Sequence, residues 1–351
     1  MEAKLGKIDQ SLIAGVIAQQ CGKSRKEVLT GPQFGVDVSV VALPGGMAMA
    51  ATSDPLSLIP SLGLEKSAWL SVHLAANDIA TTGFAPMYGQ FVLNLPGTFS
   101  KEDFGSYWGH VHRFSEEIGL AITGGHTGFI ADQHSTIAGG VTLFTIAPAE
   151  QVLTSKKAGI GDAILVTKEC AISSAAILAL SFPETVIAAY GKEVHESACA
   201  LFYQTSSLPD ALAAISGESG RAEVTAMHDV TEGGVLGAIY EMASASGHGA
   251  RVDKGKIPLG EVTGKICSLF SIDPYHSVGA GAMIITCKPM HAAAVMERLH
   301  LAGIACSCVG EIREKAYGIQ LAEGEQESEM AYMETDPYWA AFFTAMEKGW
   351  T

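Results

Sequence analysis

Four aspartates stand where a carboxylate is costly to place. Asp37 interrupts the apolar run GVDVSVV, Asp54 ends MAMAATSD, Asp78 sits inside LAANDIATTG and Asp229 ends VTAMHD. A carboxylate taken out of water without partners is strongly disfavoured. Each of these residues alone reads as a cap or a turn former. Four of them at the ends of apolar segments suit a hard cation such as Mg2+, which takes carboxylates together with substrate phosphates. In a helical reading at about 100° per residue, Asp78 lies on the arc of Leu74. It also falls one turn from the helix C-terminus, where the macrodipole disfavours negative charge. Such a residue needs a cation or hydrogen-bond donors.

Two glycine-rich stretches could supply a phosphate side. TEGGVLGAIYEMA places Thr231 at a helix N-cap with Gly233 and Gly234 in the first turn, leaving backbone N–H groups for an anion. ITGGHTGF follows a strand, and Gly124–Gly125 would let the backbone approach an anion closely. CGKS at 21–24 ends like a phosphate-binding P-loop, but the leading glycine of that motif falls on Ile17. His73 and His228 lie near the acids in sequence and suit either a direct part or a packed, hydrogen-bonded one. His110 and His112, beside Trp108 on an amphipathic stretch, read as surface or packing residues.

The elements that must position these groups follow from periodicity. Residues 34–52 alternate around Pro44-Gly45-Gly46, a hairpin. A helix over about 66–82 stops at Gly83 with Pro86 beyond it. QFVLNL, LAIT and 136–147 read as strands, with an amphipathic helix at 101–118 between the first two. LTSKKAGIGD is polar and glycine-containing and marks a domain boundary, giving domains at 1–153 and 154–325 and a helical tail at 326–351. The second domain reads as the strand DAILVT, helices at 172–181 and 192–215, and the strand EVTAMHDV. A helix to Gly247, the strand GAMIITC, a helix over 289–301 and the strand IACSCVGEI complete it.

The 351-residue chain is 48% apolar with a formal net charge of −15. That charge disfavours nucleic acid and anionic membrane as partners, but not a nucleotide bound through a metal. No stretch reaches the roughly 20 apolar residues of a membrane span. The N-terminus lacks the pattern of a signal peptide. Seven cysteines without a C-x-x-C motif suit a reducing, cytoplasmic setting, and Cys306-x-Cys308 reads as a pair of small buried thiols.

In order, GVDVSVV, TSDPL, LAANDIATTGFAP, ITGGHTG, GDAILVTK, HDVTEGGVLGAIYEMA and FSIDPYHSVGAGAMIIT resemble the AIR synthase superfamily. This group includes thiamine-monophosphate kinase, selenophosphate synthetase and the hydrogenase-maturation HypE proteins, and the layout is most similar to HypE-related members. The resemblance implies an α+β, two-domain AIR synthase-like (PurM-like) fold. It also implies a homodimer in which N-terminal strands form a joint β-barrel. It further implies an ATP- and Mg2+-dependent enzyme that activates a small-molecule or carbamoyl-type oxygen through a phosphorylated intermediate. By position, Asp54, Asp78 and Asp229 would be catalytic, and with Asp37 they would hold the metal. Gly124, Gly125, His126, Thr231, Gly233 and Gly234 would shape the nucleotide pocket, supported by Asn77 and Glu232. His126 replaces an acid of the kinase and HypE patterns. HypE proteins end in Pro-Arg-Ile-Cys, whereas no cysteine follows Cys308 here, so the HypE reaction as such is not expected. The reactive N-terminal cysteine of selenophosphate synthetases has no match in Cys21. The alternative is a non-catalytic nucleotide-binding maturation or scaffold protein with a protein partner.

Overall fold

The computed structural model describes residues 7–8, 10–56, 58–131 and 138–351. Two sheets organise them. The first contains β1 (Val28–Thr30), β2 (Ser39–Ala42), β3 (Met47–Pro55), β4 (Tyr88–Pro96), β5 (Ala121–Ile130) and β6 (Ala138–Pro148), in the order β1-β2-β3-β6-β4-β5. All neighbours are antiparallel except β4 and β5, which run parallel. The two longer helices described in this domain are α1 (Gly63–Ala80) and α2 (Lys101–Glu117), and α2 makes the crossover that the parallel pair requires.

The second sheet contains β7 (Ala163–Thr167), β8 (Val224–Asp229), β9 (Gly249–Asp253), β10 (Met283–Cys287), β11 (Cys306–Arg313), β12 (Ile319–Glu323) and β13 (Gln326–Glu329). Their order is β13-β12-β9-β11-β7-β10-β8. The longer helices of this half are α3 (Ile172–Ser181), α4 (Pro183–Tyr190), α5 (Lys192–Ala200), α6 (Leu208–Ala214), α7 (Gly234–Ser246), α8 (Glu261–Leu269), α9 (Pro289–Leu301) and α10 (Pro337–Glu347).

The two sheets bury their faces differently, and the sequence pattern shows why. Along β7, Ile164 and Val166 pack with Val235, Leu236 and Ile239 of α7, while Leu165 packs with Ala211 of α6 and Val295 and Leu299 of α9. Both faces are covered, so AILVT is apolar throughout. Along β3, Ala48, Ala50 and Thr52 are buried and their neighbours less so, the alternation of a one-sided sheet. Val92, Phe129 and Ile146 remain exposed on the first sheet.

That sheet is open: β1 and β5 are its two edges and do not pair with one another. The expected barrel is therefore not formed, because a closed barrel requires every edge strand to find a partner. Two further expectations change. The helix read over 192–215 breaks into α5, a 3-10 turn at Leu201–Thr205 and α6, whose first turn contains Pro209. Proline lacks an amide donor and clashes with the preceding turn, so it starts a helix rather than continuing one. Cys306 is half-buried and Cys308, on the same face of β11, is exposed, so the two are not a pair of buried thiols. Residues 136 and 137 of the expected strand lie outside the described residues. No single described helix is long and apolar enough to cross a membrane.

Helix α1 links the two halves. Ala68, Val72, Ala75 and Ile79 pack on the first sheet, and Leu70 and Trp69 face the second domain. Its end is closed by Thr81 and Thr82, whose hydroxyls donate to the carbonyls of Asp78 and Ile79 at 2.6 Å, before Gly83 turns away at φ +77°.

Candidate metal and nucleotide site

The hairpin, α1 and β8 bring the four aspartates together. Asp54 shares the helix-facing side of β3 with Thr52, two residues earlier, as strand alternation requires. Thr52 Oγ1 donates to Asp78 Oδ2 at 2.6 Å, so strand and helix are joined at the acids. Asp37 enters from the loop before β2, and Asp229 closes β8 in the other domain. Ligand atoms of Asp37, His228 and Asp229 all lie within 4.8 Å of one another.

The electrostatics show how closely these groups converge. Burial, then the charges of Asp54, Asp229 and Asp37, holds Asp78 well above the usual carboxylate range. Burial and the Asp37 charge push Asp229 up to about 8. Burial also raises Asp54, with the Lys7 ammonium opposing and Asp37 reinforcing the rise. Asp229 is 3% exposed, and among the described residues no side-chain hydrogen bond holds its carboxylate. Buried like charges without donors favour either shared protons or an added cation.

Beside the aspartates lies a network that sequence reasoning found only in part. His228 Nδ1 is 2.7 Å from Asp37 Oδ2 and its Nε2 is 3.0 Å from Glu241 Oε2. Burial alone would lower this imidazole, but Asp37 and Glu241 together raise it to about 10. Against the same burial, Lys7, His228 and Tyr332 hold Glu241 down at about 2. Lys7 Nζ reaches Glu241 at 3.2 Å and Tyr332 OH donates to it at 2.7 Å. Glu241 carries a readable signal, an acid on the apolar face of α7. Lys7 and Tyr332 carry none, because their approach spans 234 and 91 residues of chain.

The remaining expected site residues divide in two. Glu232 sits beside the acids and accepts from the Lys7 backbone N–H at 2.6 Å and from Trp339 Nε1 at 3.0 Å. The N-cap of α7 is Gly233 rather than Thr231, and no side chain caps it. Gly233 adopts φ +85°, and its amide already donates to Asp336 Oδ2 at 2.8 Å. A Cβ on Gly234 would lie 2.5 Å from the Tyr275 carbonyl oxygen, so only glycine fits there. Asn77 points away from the acids, binding Thr205 O and Ser207 N across the domain seam at 2.9 and 2.7 Å.

Gly124, Gly125 and His126 lie within β5 rather than in a turn after it. Three strand steps separate β5 from β3, which is about 14 Å. Gly125 is glycine because a Cβ would overlap the Phe91 carbonyl oxygen of β4.

Comparison with known proteins agrees with this architecture. Residues 35–146 match the N-terminal domain of AIR synthase related proteins and residues 159–321 match their C-terminal domain. The chain belongs to the AIR synthase related family, and both of the family's domains are present in it. It is 27% identical over 276 residues to the carbamoyl dehydratase HypE of Rhizobium leguminosarum, covering 76% of this chain and 73% of that protein. The crystal structure of a HypE–HypF complex superposes with a TM-score of 0.70 at 16% identity, covering 92% of this chain and all of that one. AaThiL complexed with AMPPCP and TMP gives 0.68 at 16% identity, covering 92% and 98%.

Proposed function

We propose that the protein is an Mg2+- and ATP-dependent enzyme that transfers a phosphoryl group to a small-molecule or carbamoyl-type oxygen. The observation that carries this reading is the convergence of Asp37, Asp54, Asp78 and Asp229, from both domains, with three of the carboxylates held above their usual range. An all-oxygen donor set of this kind fits Mg2+, and these four residues would hold it. When bound, MgATP supplies the phosphoryl group and offsets its charge.

The chain's own residues act by position. Thr52 fixes one oxygen of Asp78, and His228 holds Asp37 against the second domain. Thr231, Gly233 and Gly234 form the phosphate side, where a phosphate would take the Gly233 amide from Asp336. Glu232 steadies this turn through Lys7 and Trp339. Gly124, Gly125 and His126 lie on β5, three strand steps from β3, and this reading does not draw on them. The ATP assignment is further supported by a fold neighbour described with AMPPCP.

Calorimetry with MgATP tests the reading. The native chain is expected to bind, and Asp229→Asn to lose about a hundredfold or more in affinity while staying folded, as when one member of a buried charge cluster is removed. Unchanged affinity in that variant, or no binding to the native chain at millimolar MgATP, rejects the assignment.

The filled Gly233 amide, together with the likeness to a chain crystallised with HypF, favours a second reading as a nucleotide-binding maturation protein acting through a partner. Nucleotide binding without ATP turnover in the presence of candidate acceptors would select it. The exposed Val92, Phe129 and Ile146 support a second copy of the chain as a partner, to be checked by sedimentation.

A further inference from the structure

Away from the acids, a cavity of about 240 Å3 opens at the seam between α1 and the segment joining α5 to α6. Trp69 and His73 of α1 form one side. Tyr203, Leu208 and Asp210 form the other, and Lys168 reaches in from the end of β7. None of the four clustered aspartates lines it.

The polar groups here are incompletely used. His73 is 4% exposed, its ring stacks on Trp69 with centroids 3.7 Å apart, and its Nδ1 lies 2.9 Å from Ser206 Oγ. Its Nε2 has no hydrogen-bond partner among the described residues. A buried polar atom left unpaired in a folded protein calls for an explanation such as a ligand or an ordered water. Burial lowers His73 to about 4, so the ring is neutral near pH 7. Asp210 is wholly buried, with Oδ2 2.8 Å from Lys168 Nζ and the Thr167 side chain also within reach of the carboxylate, yet neither oxygen has a hydrogen bond of good geometry among the described residues.

Lys168 cannot serve an incoming anion. Its ammonium already donates to the carbonyls of Ser206, Gly281 and Gln204 at 2.8, 2.8 and 3.1 Å and faces Asp210 as well. A cation would in turn meet this ammonium beside the carboxylate. The walls are aromatic and aliphatic, with Tyr203 set edge-on to Trp69 at 5.0 Å. What is left for a ligand is an apolar cavity with aromatic rings in its wall, an acceptor at Asp210 and a neutral ring nitrogen at His73.

We propose that this cavity is a second binding site, separate from the acidic cluster, for a small neutral planar molecule that carries an amide- or amine-type N–H donor on an aromatic ring. It stands independently of the phosphoryl-transfer reading, because no residue is shared.

Benzamide and benzoate, alike in size and shape, test it on the full chain by ligand-observed NMR and calorimetry. Benzamide is expected to bind saturably with a millimolar or tighter Kd. Benzoate, which offers no donor and adds a charge, is expected to bind about tenfold more weakly or not at all. His73→Phe keeps the ring on Trp69 and removes Nε2, and should weaken benzamide about fivefold or more. Tyr203→Ala, at a half-exposed wall, should also weaken it and carries the test if His73→Phe does not fold. MgATP affinity should be unchanged in both variants. No saturable benzamide binding, equal binding of benzoate, or indifference to the folded variants overturns the proposal, and an ordered water then accounts for His73.

Discussion

Asp162 and Asp229 are both buried carboxylates at the ends of strands in the second sheet, yet the fold treats them in opposite ways. Asp162 accepts from the Gly159 amide at 2.8 Å and Thr225 Oγ1 at 2.6 Å, and Lys288 Nζ lies 2.6 Å from its other oxygen. Every demand of that charge is met within the chain. Asp229 is placed among three more aspartates, with no donor of its own among the described residues and its proton held up to about 8. A carboxylate completed locally maintains the fold. A carboxylate left incomplete at a convergence of like charges is available to something that arrives from outside.

The sharpest way to break this comparison is to remove each acid in turn. Asp162→Ala strands an amide, a hydroxyl and an ammonium and should cost about 3 kcal/mol of stability, read from denaturant unfolding. The MgATP affinity of its folded fraction should not change. Asp229→Asn should do the reverse, weakening MgATP binding about a hundredfold or more while stability stays level or rises as charge repulsion is relieved. If both variants lose stability alike, the two carboxylates are equivalent and the distinction fails.

A pH series sharpens it next. Asp229 is raised from 3.8 to about 8, so the folded state binds the extra proton. Its contribution is fully present below the unfolded value and is lost as pH rises to about 8. His228, raised from 6.5 to about 10, contributes below 6.5 and loses that contribution as pH climbs through 10. Glu241, lowered from 4.5 to about 2, contributes above 4.5 and loses it only as pH falls through 2. Without divalent cation, the melting temperature should therefore decline from about pH 5 to about pH 8, and Mg2+ should raise it more at the higher pH. An equal Mg2+ effect at both would place the ion elsewhere.

The smallest expected effect is at Thr52. Thr52→Val removes the 2.6 Å bond to Asp78, and MgATP binding should weaken by about 1 kcal/mol, a factor of about five. A far larger loss would mean that Thr52 does more than steady Asp78.

Much of this was legible from residue patterns because it depends on local periodicity. The strand pattern put Asp54 at the end of an apolar run, and the helical arc showed Asp78 as an acid in a costly place; that Thr52 joins them was not read from the pattern. The apolar run before Asp229 marked a buried strand end. What the sequence concealed was non-local. Nothing near Lys7 or Tyr332 shows that they meet Glu241, and nothing near Asp336 shows that it fills the Gly233 amide. GGHT looked like an anion-binding turn because glycines serve two ends. In β5 it is Gly125 that admits the Phe91 carbonyl of the neighbouring strand, a need visible only once β4 is beside it. The joint barrel failed for a related reason, since whether β1 and β5 find partners is not written in either strand.

The bond from Trp339 to Glu232 gives the molecule an optical reporter of its own. Indole emission responds to the charge and hydration around the ring, and this ring is anchored to a residue next to the glycine turn where phosphate would land. Displacing Asp336 from Gly233 would shift the strand of chain that carries Trp339 and so change its colour. Each arrival at the turn could then be followed in real time by fluorescence, without any added dye.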